Sequence, residues 1–199
     1  CVTTTKARHL VARGRHAEAL EGAASVLDGL QVCAEEPEAA IAALLPSLVL
    51  VGRGEEAAEL HAAACRAIRG RAGAMPIAAD LIDFCARSGN LGRGVELLRE
   101  RWDDVAHPGR THDRIEVAAH LARLGGALVA AGQADLVVVP GVPARDLVDR
   151  FEREAADLAA AFDARNGTTT ATDTLRELRD APDLGPVDLG APGRYPLSE

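Results

Sequence analysis

Apolar residues fall at helical spacing along most of the chain. Ile41, Leu44, Leu45 and Leu48 lie at i, i+3, i+4 and i+7, and Leu121, Leu124 and Leu128 repeat the pattern. Leu81, Ile82 and Cys85 are a shorter version. Ala19, Leu20, Ala23, Val26, Leu27 and Leu30 form another stripe. So do Ala57, Leu60, Ala64 and Ile68, and then Val95, Leu98, Trp102 and Val105. A period near 3.6 puts each set on one face, so each predicts an amphipathic helix with one buried stripe. Gly14, Gly52, Gly89 and Gly132 each close such a stretch, at spacings of 38, 37 and 43 residues. Glycine takes the left-handed conformation that ends a helix. The first three glycines run on into another striped segment, which predicts repeated helix–turn–helix units at the period of a helical solenoid.

The punctuation agrees. Glu55 and Glu56 follow the second turn, where carboxylates favour a helix N-terminus. Pro37, after Glu35-Glu36, and Pro76, at the end of a Gly-rich loop from Gly70, suit the first turn of a helix. His107-Pro108-Gly109-Arg110 reads as a turn. Pro46 lies inside a helical pattern and is expected to kink or restart that helix. The fourth unit departs from the others: Leu136 to Pro143 is β-branched with two prolines, poor helix material. A long helix is predicted from about Pro143 to Arg165, with Leu147, Phe151, Ala155, Leu158 and Phe162 on one face and Asn166-Gly167 as its stop. Thr168 to Thr172 reads as a polar loop, and Thr174 to Glu177 has capping-box spacing for a last short helix. From Ala181 the chain is rich in Pro and Gly and is expected to be extended. The expected divisions are repeats over 1–139, capping helices over 140–180 and a tail over 181–199.

These units resemble the tetratricopeptide family. Its unit is a helical hairpin with a glycine in the turn and an alanine five residues on; here Ala19 follows Gly14, and Ala57 follows Gly52, by five. Gly94 takes that small position after Gly89, and Leu121, Leu124, Gly125, Leu128 and Gly132 match the family's first helix and turn. The resemblance covers about residues 1–139; the signature aromatics are absent and Val137 stands where alanine is expected. It implies that first helices line a concave groove holding a partner's peptide or helix. In that register the groove residues are Thr4, Arg8 and Val11; Ala42, Pro46 and Val49; Ala79, Asp83 and Ala86; and Ala122, Gly126 and Val129. Most are small and apolar, which suits an amphipathic helix. Of the Lys/Asn/Arg clamp that some relatives use for a C-terminal carboxylate, only Arg8 is present, and that function is not carried over. The helix near 143–165 either caps the solenoid, as a terminal unit must, or fills the groove itself.

Composition narrows the class. Apolar residues are 48% and aromatics 3%, so the core is Ala, Leu and Val in close-packed helices rather than a β-sandwich. A net charge of −8 argues against nucleic acid as a partner of this segment. Lys6 is the one lysine among 22 basic residues, a usage associated with GC-rich bacterial coding. No run of 18 apolar residues predicts a membrane span, and no charged-then-apolar leader opens the chain. A cytoplasmic location without a membrane partner is expected. Cys1, Cys33, Cys65 and Cys85 form no CxxC pair and are expected as buried thiols rather than disulfides.

Candidate chemistry is thin. Leu48 to Val51 followed by Gly52-x-Gly54-x-x-Ala57 could be a strand, Gly-rich loop and helix cradling a pyrophosphate. The following stretch supplies helix-forming alanines where a second strand and an acidic residue are needed, and Glu55 and Glu56 would repel phosphate. His61 and Cys65 are one helical turn apart, without a second pair; His107 and His112 flank a loop and His120 is isolated. No nucleophile elbow or P-loop occurs. The expectation is an all-α fold, a right-handed solenoid of antiparallel, tetratricopeptide-like helix hairpins with a long C-terminal capping helix. Its expected function is non-catalytic, with no cofactor or metal. It would be a protein–protein interaction module, the adaptor or sensor part of a larger bacterial protein, binding a peptide or amphipathic helix. The alternatives are a structural, self-associating module and a dinucleotide enzyme using Gly52 to Ala57.

Overall fold

The structure, a computed structural model, describes residues 2–31, 33, 36–105 and 113–190. Among them the chain is mostly helical: α1 (Val2–Val11), α2 (His16–Leu27), α3 (Glu38–Leu50), α4 (Gly54–Ile68), α5 (Met75–Arg87), α6 (Leu91–Val105), α7 (Asp113–Ala130), α8 (Ala144–Asn166) and α9 (Thr170–Asp180). Two short strands, β1 (Val137–Val139) and β2 (Val142–Pro143), pair antiparallel, Val137 opposite Pro143 and Val139 opposite Val142. The predicted turn at 107–110, His107, His112, Cys1 and Glu35 lie outside the described residues.

All four repeated glycines end a helix in the same way. Their φ angles are 70° at Gly14, 82° at Gly52, 75° at Gly89 and 79° at Gly132. The glycine amide donates to the carbonyl three residues back and the next amide to the carbonyl five back. Gly52 N to Val49 O is 3.0 Å and Arg53 N to Leu48 O 2.8 Å; Gly132 N to Val129 O is 3.0 Å and Gln133 N to Leu128 O 2.9 Å. These bonds satisfy carbonyls left open at a helix C-terminus, and the left-handed residue re-aims the chain. After Gly14 and Gly52 an arginine follows and pairs with a glutamate in the next helix's first turn. Arg15 Nε donates to Glu18 Oε1 at 2.7 Å, and Arg53 Nε to Glu56 Oε2 at 2.6 Å.

The chain divides into two compact units, Cys1–Arg71 with Leu184–Gly190, and Ala72–Asp183. In the first, α1 packs on α2 and α3, α2 on α3, and α3 on α4. Its core is Ala19, Leu20, Ala23, Val26, Ile41, Leu44, Leu45, Leu48, Ala57, Ala64 and Ile68. Thr4 Oγ1 donates to Glu36 Oε1, and Glu36 Oε2 accepts the Ala40 amide at 2.9 Å, taking up an orphan donor at the start of α3. His16 Nδ1 and Ser47 Oγ are 3.0 Å apart. α3 runs unbroken through Pro46, so of the expected kink or restart the restart does not occur. Leu44, Leu45 and Leu48, fully buried on either side of it, hold the helix together despite one missing hydrogen bond.

The same packing excludes the alternative strand reading at Leu48 to Val51. Leu48 to Leu50 close α3, and Gly52 joins two helices rather than a strand and a helix. The i, i+3, i+4 stripe from Ile41 outweighs the local β-propensity of Val49 and Val51. The cysteines also differ from expectation: Cys85 is buried, Cys65 half-buried and Cys33 exposed, all three as free thiols.

In the second unit α5 packs on α6 and α7, and α7 on α8 and α9. α8 approaches α7 at Gly125, where an added Cβ would sit 3.0 Å from the Ala144 carbonyl oxygen and 3.1 Å from Leu147 Cβ. Gly94 of α6 likewise faces Leu124. These two glycines admit neighbours no larger side chain would allow. Phe151 of α8 is buried edge-on against Trp102 of α6, centroids 6.4 Å apart, and the Arg150 guanidinium covers both rings. Phe162, expected on the same buried face, is only half-buried. Between α7 and α8 the valines, read from the sequence as poor helix material, form the β1–β2 hairpin around Pro140-Gly141, so a short strand enters the end of the span 1–139 assigned to helical repeats. Arg99 of α6 donates to the carbonyls of Val138 at 2.6 Å and Val137 at 2.7 Å. α9 starts at Thr170, four residues before the expected capping box. Its cap comes from Asp163 of α8, which accepts the amides of Ala171 and Thr172, each at 2.9 Å. Residues 181–190 carry no helix or strand. No helix among the described residues is long and apolar enough to cross a membrane.

Candidate functional site

α5 is apolar at almost every buried position: Ile77, Ala78, Ala79, Leu81, Ile82, Phe84, Cys85 and Ala86. Asp83 interrupts this run. It lies at the α5–α7 contact, 6% exposed, on the face that register assigns to the groove. Asp80 and Arg87 sit one turn to either side of it on α5, at i−3 and i+4. α7 supplies His120 and Arg123, at i and i+3, so both reach the same spot.

The five side chains form one network. Asp83 Oδ1 is 3.1 Å from His120 Nδ1 and 2.9 Å from Arg123 Nε; Oδ2 is 3.5 Å from Arg87 Nη1. The other imidazole nitrogen, Nε2, is 3.3 Å from Asp80 Oδ1. Oδ1 of Asp83 lies out of line with its neighbours' N–H directions, so it is held by charge rather than by an aligned hydrogen bond. Burial by itself would push the Asp83 carboxyl up, but His120, Arg123 and Arg87 more than reverse this and hold it below the usual carboxylate range. Burial likewise pushes His120 down, and the Asp83 and Asp80 carboxylates overcome it, raising the imidazole to about 10. Arg87 is lowered, first by burial, with Asp83 and Asp183 opposing and Arg123 adding to the shift.

An imidazole that keeps its proton to about pH 10 is not a general base near neutrality. No group of three His, Cys, Asp or Glu side chains that could hold a metal occurs among the described residues. His61 is buried, with Cys65 Sγ 3.8 Å from both its ring nitrogens, and the pair belongs to no metal-type cluster of three among the described residues.

What the network does is aim two guanidiniums at main-chain oxygens. Arg87 Nε donates to the Pro182 carbonyl at 2.9 Å. Arg123 Nη1 donates to the Ala181 carbonyl at 3.1 Å, and its Nη2 to the carbonyls of Arg179, at 3.2 Å, and Leu178. The last turn of α9 and the residues after it therefore lie on the α5–α7 face. The sequence left α8 as either a cap on the last unit or the chain's own groove occupant; α8 packs on α7 at Gly125.

The other predicted groove residues fall in differing environments. Ala79, Ala86 and Ala122 are buried around Asp83, Gly126 is half-buried and Val129 exposed. In the first unit Ala42 and Thr4 are buried, Val11, Pro46 and Val49 half-buried and Arg8 exposed. Asp83 was the one charged residue on that face that register found. Arg87, Arg123, Asp80 and His120 were missed. Their signal is Asp80-x-x-Asp83-x-x-x-Arg87 on one helix and His120-x-x-Arg123 on a later one, opposite charges at helical spacing. No family model, curated protein or solved structure matches the chain.

Proposed function

We propose that the protein is a non-catalytic interaction module of tetratricopeptide-like helical hairpins, and that its peptide-binding surface is the α5–α7 face around Asp83. One observation carries this reading: Arg87 and Arg123, braced on one buried carboxylate, spend their donors on the backbone carbonyls of Leu178 to Pro182. A guanidinium fixed before its ligand arrives loses little entropy on binding, and carbonyl oxygens are what any extended peptide offers. The four identical glycine turns, each closing a striped helix, support the repeat architecture. The location, cytoplasmic and bacterial, is part of the same proposal.

Phage display against the full chain tests it. Peptides enriched on the wild type are expected to lose binding to Arg123→Gln, with light scattering reporting a monomer throughout. Peptides that bind both proteins alike would sink the site. Failure to enrich any peptide, together with a stable dimer, would favour a self-associating module. Saturable binding of a dinucleotide would favour the enzyme.

A further inference from the structure

The α5–α7 face is already occupied by this chain, and its occupant has a definite chemistry. Resting on the reading above, we propose that the site takes a short helix whose last turn runs into an extended Ala-Pro-Asp stretch, and that α9 with Ala181-Pro182-Asp183 is an internal copy of that ligand which a partner displaces.

Each part of the occupant meets a matching part of the site. Arg123 takes the carbonyl of Leu178, which also accepts the Ala181 amide at 3.4 Å, then that of Arg179, in the last turn where a helix leaves acceptors open, and then that of Ala181. Arg87 takes the carbonyl of Pro182. Proline brings no amide needing a partner, and its fixed φ favours the extended form that continues the helix. Asp183 stands next in the chain to the carbonyl that Arg87 holds at 2.9 Å, and its charge opposes the downward push of burial on Arg87. Its carboxylate gives the preference for an acidic ligand that carbonyl contacts alone lack.

The occupant is also lightly held. α9 has 11 residues, and Leu175 is its one buried side chain. Pro182 and Asp183 are exposed, and residues 181–190 belong to no helix or strand whose hydrogen bonds would be lost on leaving. Beyond the Arg87 and Arg123 contacts the occupant is tied by the Asp163 cap and an Arg179–Glu152 ion pair on α8, and its tether adds an effective concentration of about mM. A partner with the same stretch and any added contact outcompetes it.

The test uses a fluorescein-labelled synthetic peptide of residues 170–186 and fluorescence anisotropy with the full chain. Leu175→Ala in the protein weakens the internal copy and leaves the site intact. It is expected to raise affinity for the wild-type peptide about tenfold over the wild-type protein. On that same Leu175→Ala protein, a peptide with Asp183→Lys is expected to bind at least about tenfold more weakly. That comparison changes only the peptide, so misfolding of a site variant cannot imitate it. Equal affinity for the two proteins, or indifference to Asp183→Lys in the peptide, overturns the proposal. So does a Leu175→Ala protein that dimerises by exchanging α9 between copies. If displayed peptides bind, depend on Arg123 and yet carry no helix–Pro–acid pattern, this inference fails while the site itself stands.

Discussion

The two compact units bury polar groups in opposite ways. In the first, α1 to α4 enclose small contacts of two or three groups: Thr4 on Glu36, Glu36 on the Ala40 amide, and His16 on Ser47. Each finishes a helix start or a pair of helices. In the second, Asp80, Asp83, Arg87, His120 and Arg123 form one charged network between α5 and α7. Small polar pairs cost little to bury and fix little beyond themselves. A buried charged network is expensive in desolvation, and a hydrophobic contact of equal volume is often as stable or more so. Its presence on the face of α5, where the matching positions of α3 are Ala42, Pro46 and Val49, is in keeping with the proposed binding role.

Removing the central carboxylate should break this contrast most severely. Asp83→Ala leaves three cationic groups without their shared anion and is expected to cost about 3–5 kcal/mol in chemical denaturation. A loss below about 1 kcal/mol would mean the charges find water instead.

Alkaline pH attacks the same network without mutation. His120 titrates near 6.5 when unfolded and about 10 when folded. Its contribution is complete below about pH 6.5 and disappears as pH rises through about 10. Asp83, held below its ordinary value of 3.8, contributes above that pH and fails as pH falls through its folded value. The denaturant midpoint of the wild type should therefore decline from pH 6.5 to 10. His120→Gln should flatten that limb; a decline of the same slope in the variant would assign it elsewhere.

Packing sharpens the comparison within one helix. Gly125→Leu pushes a side chain into Ala144, Leu147 and Val148 and should cost about 1–3 kcal/mol. Gly126→Ala, with nothing within 4 Å of its new Cβ, should be neutral or stabilising by about 0.5–1 kcal/mol. Equal effects in thermal melts would contradict the close α7–α8 approach. The turns, by contrast, should behave alike in both units. Gly52→Val and Gly132→Val each place a β-branched residue at positive φ in open space, at about 1–3 kcal/mol of strain. The smallest change expected is Ser47→Ala, about 1 kcal/mol for its contact with His16. A loss matching that of Asp83→Ala would erase the difference between the units.

The sequence by itself determined the local structure. Helical stripes and positive-φ glycines depend on residues within one or two turns, so the bounds of α8, the helical character of α2, α4 and α6 and all four turns were legible from the order of residues, although Leu30, expected in the stripe of α2, lies exposed beyond its end. It also exposed Asp83 as a charge on an apolar face. Where the local signals conflicted, packing decided. Buried leucines carried α3 through Pro46 and made Leu48 to Leu50 helix, and Asp163, from the preceding helix, set the start of α9. Only tertiary structure could bring Asp83 to His120 and Arg123, 37 and 40 residues away, and Arg123 to carbonyls 55 to 58 residues further on. Carbonyl acceptors have no residue letter, and charge pairing across helices depends on how α5 and α7 meet. Periodicity along either helix records neither.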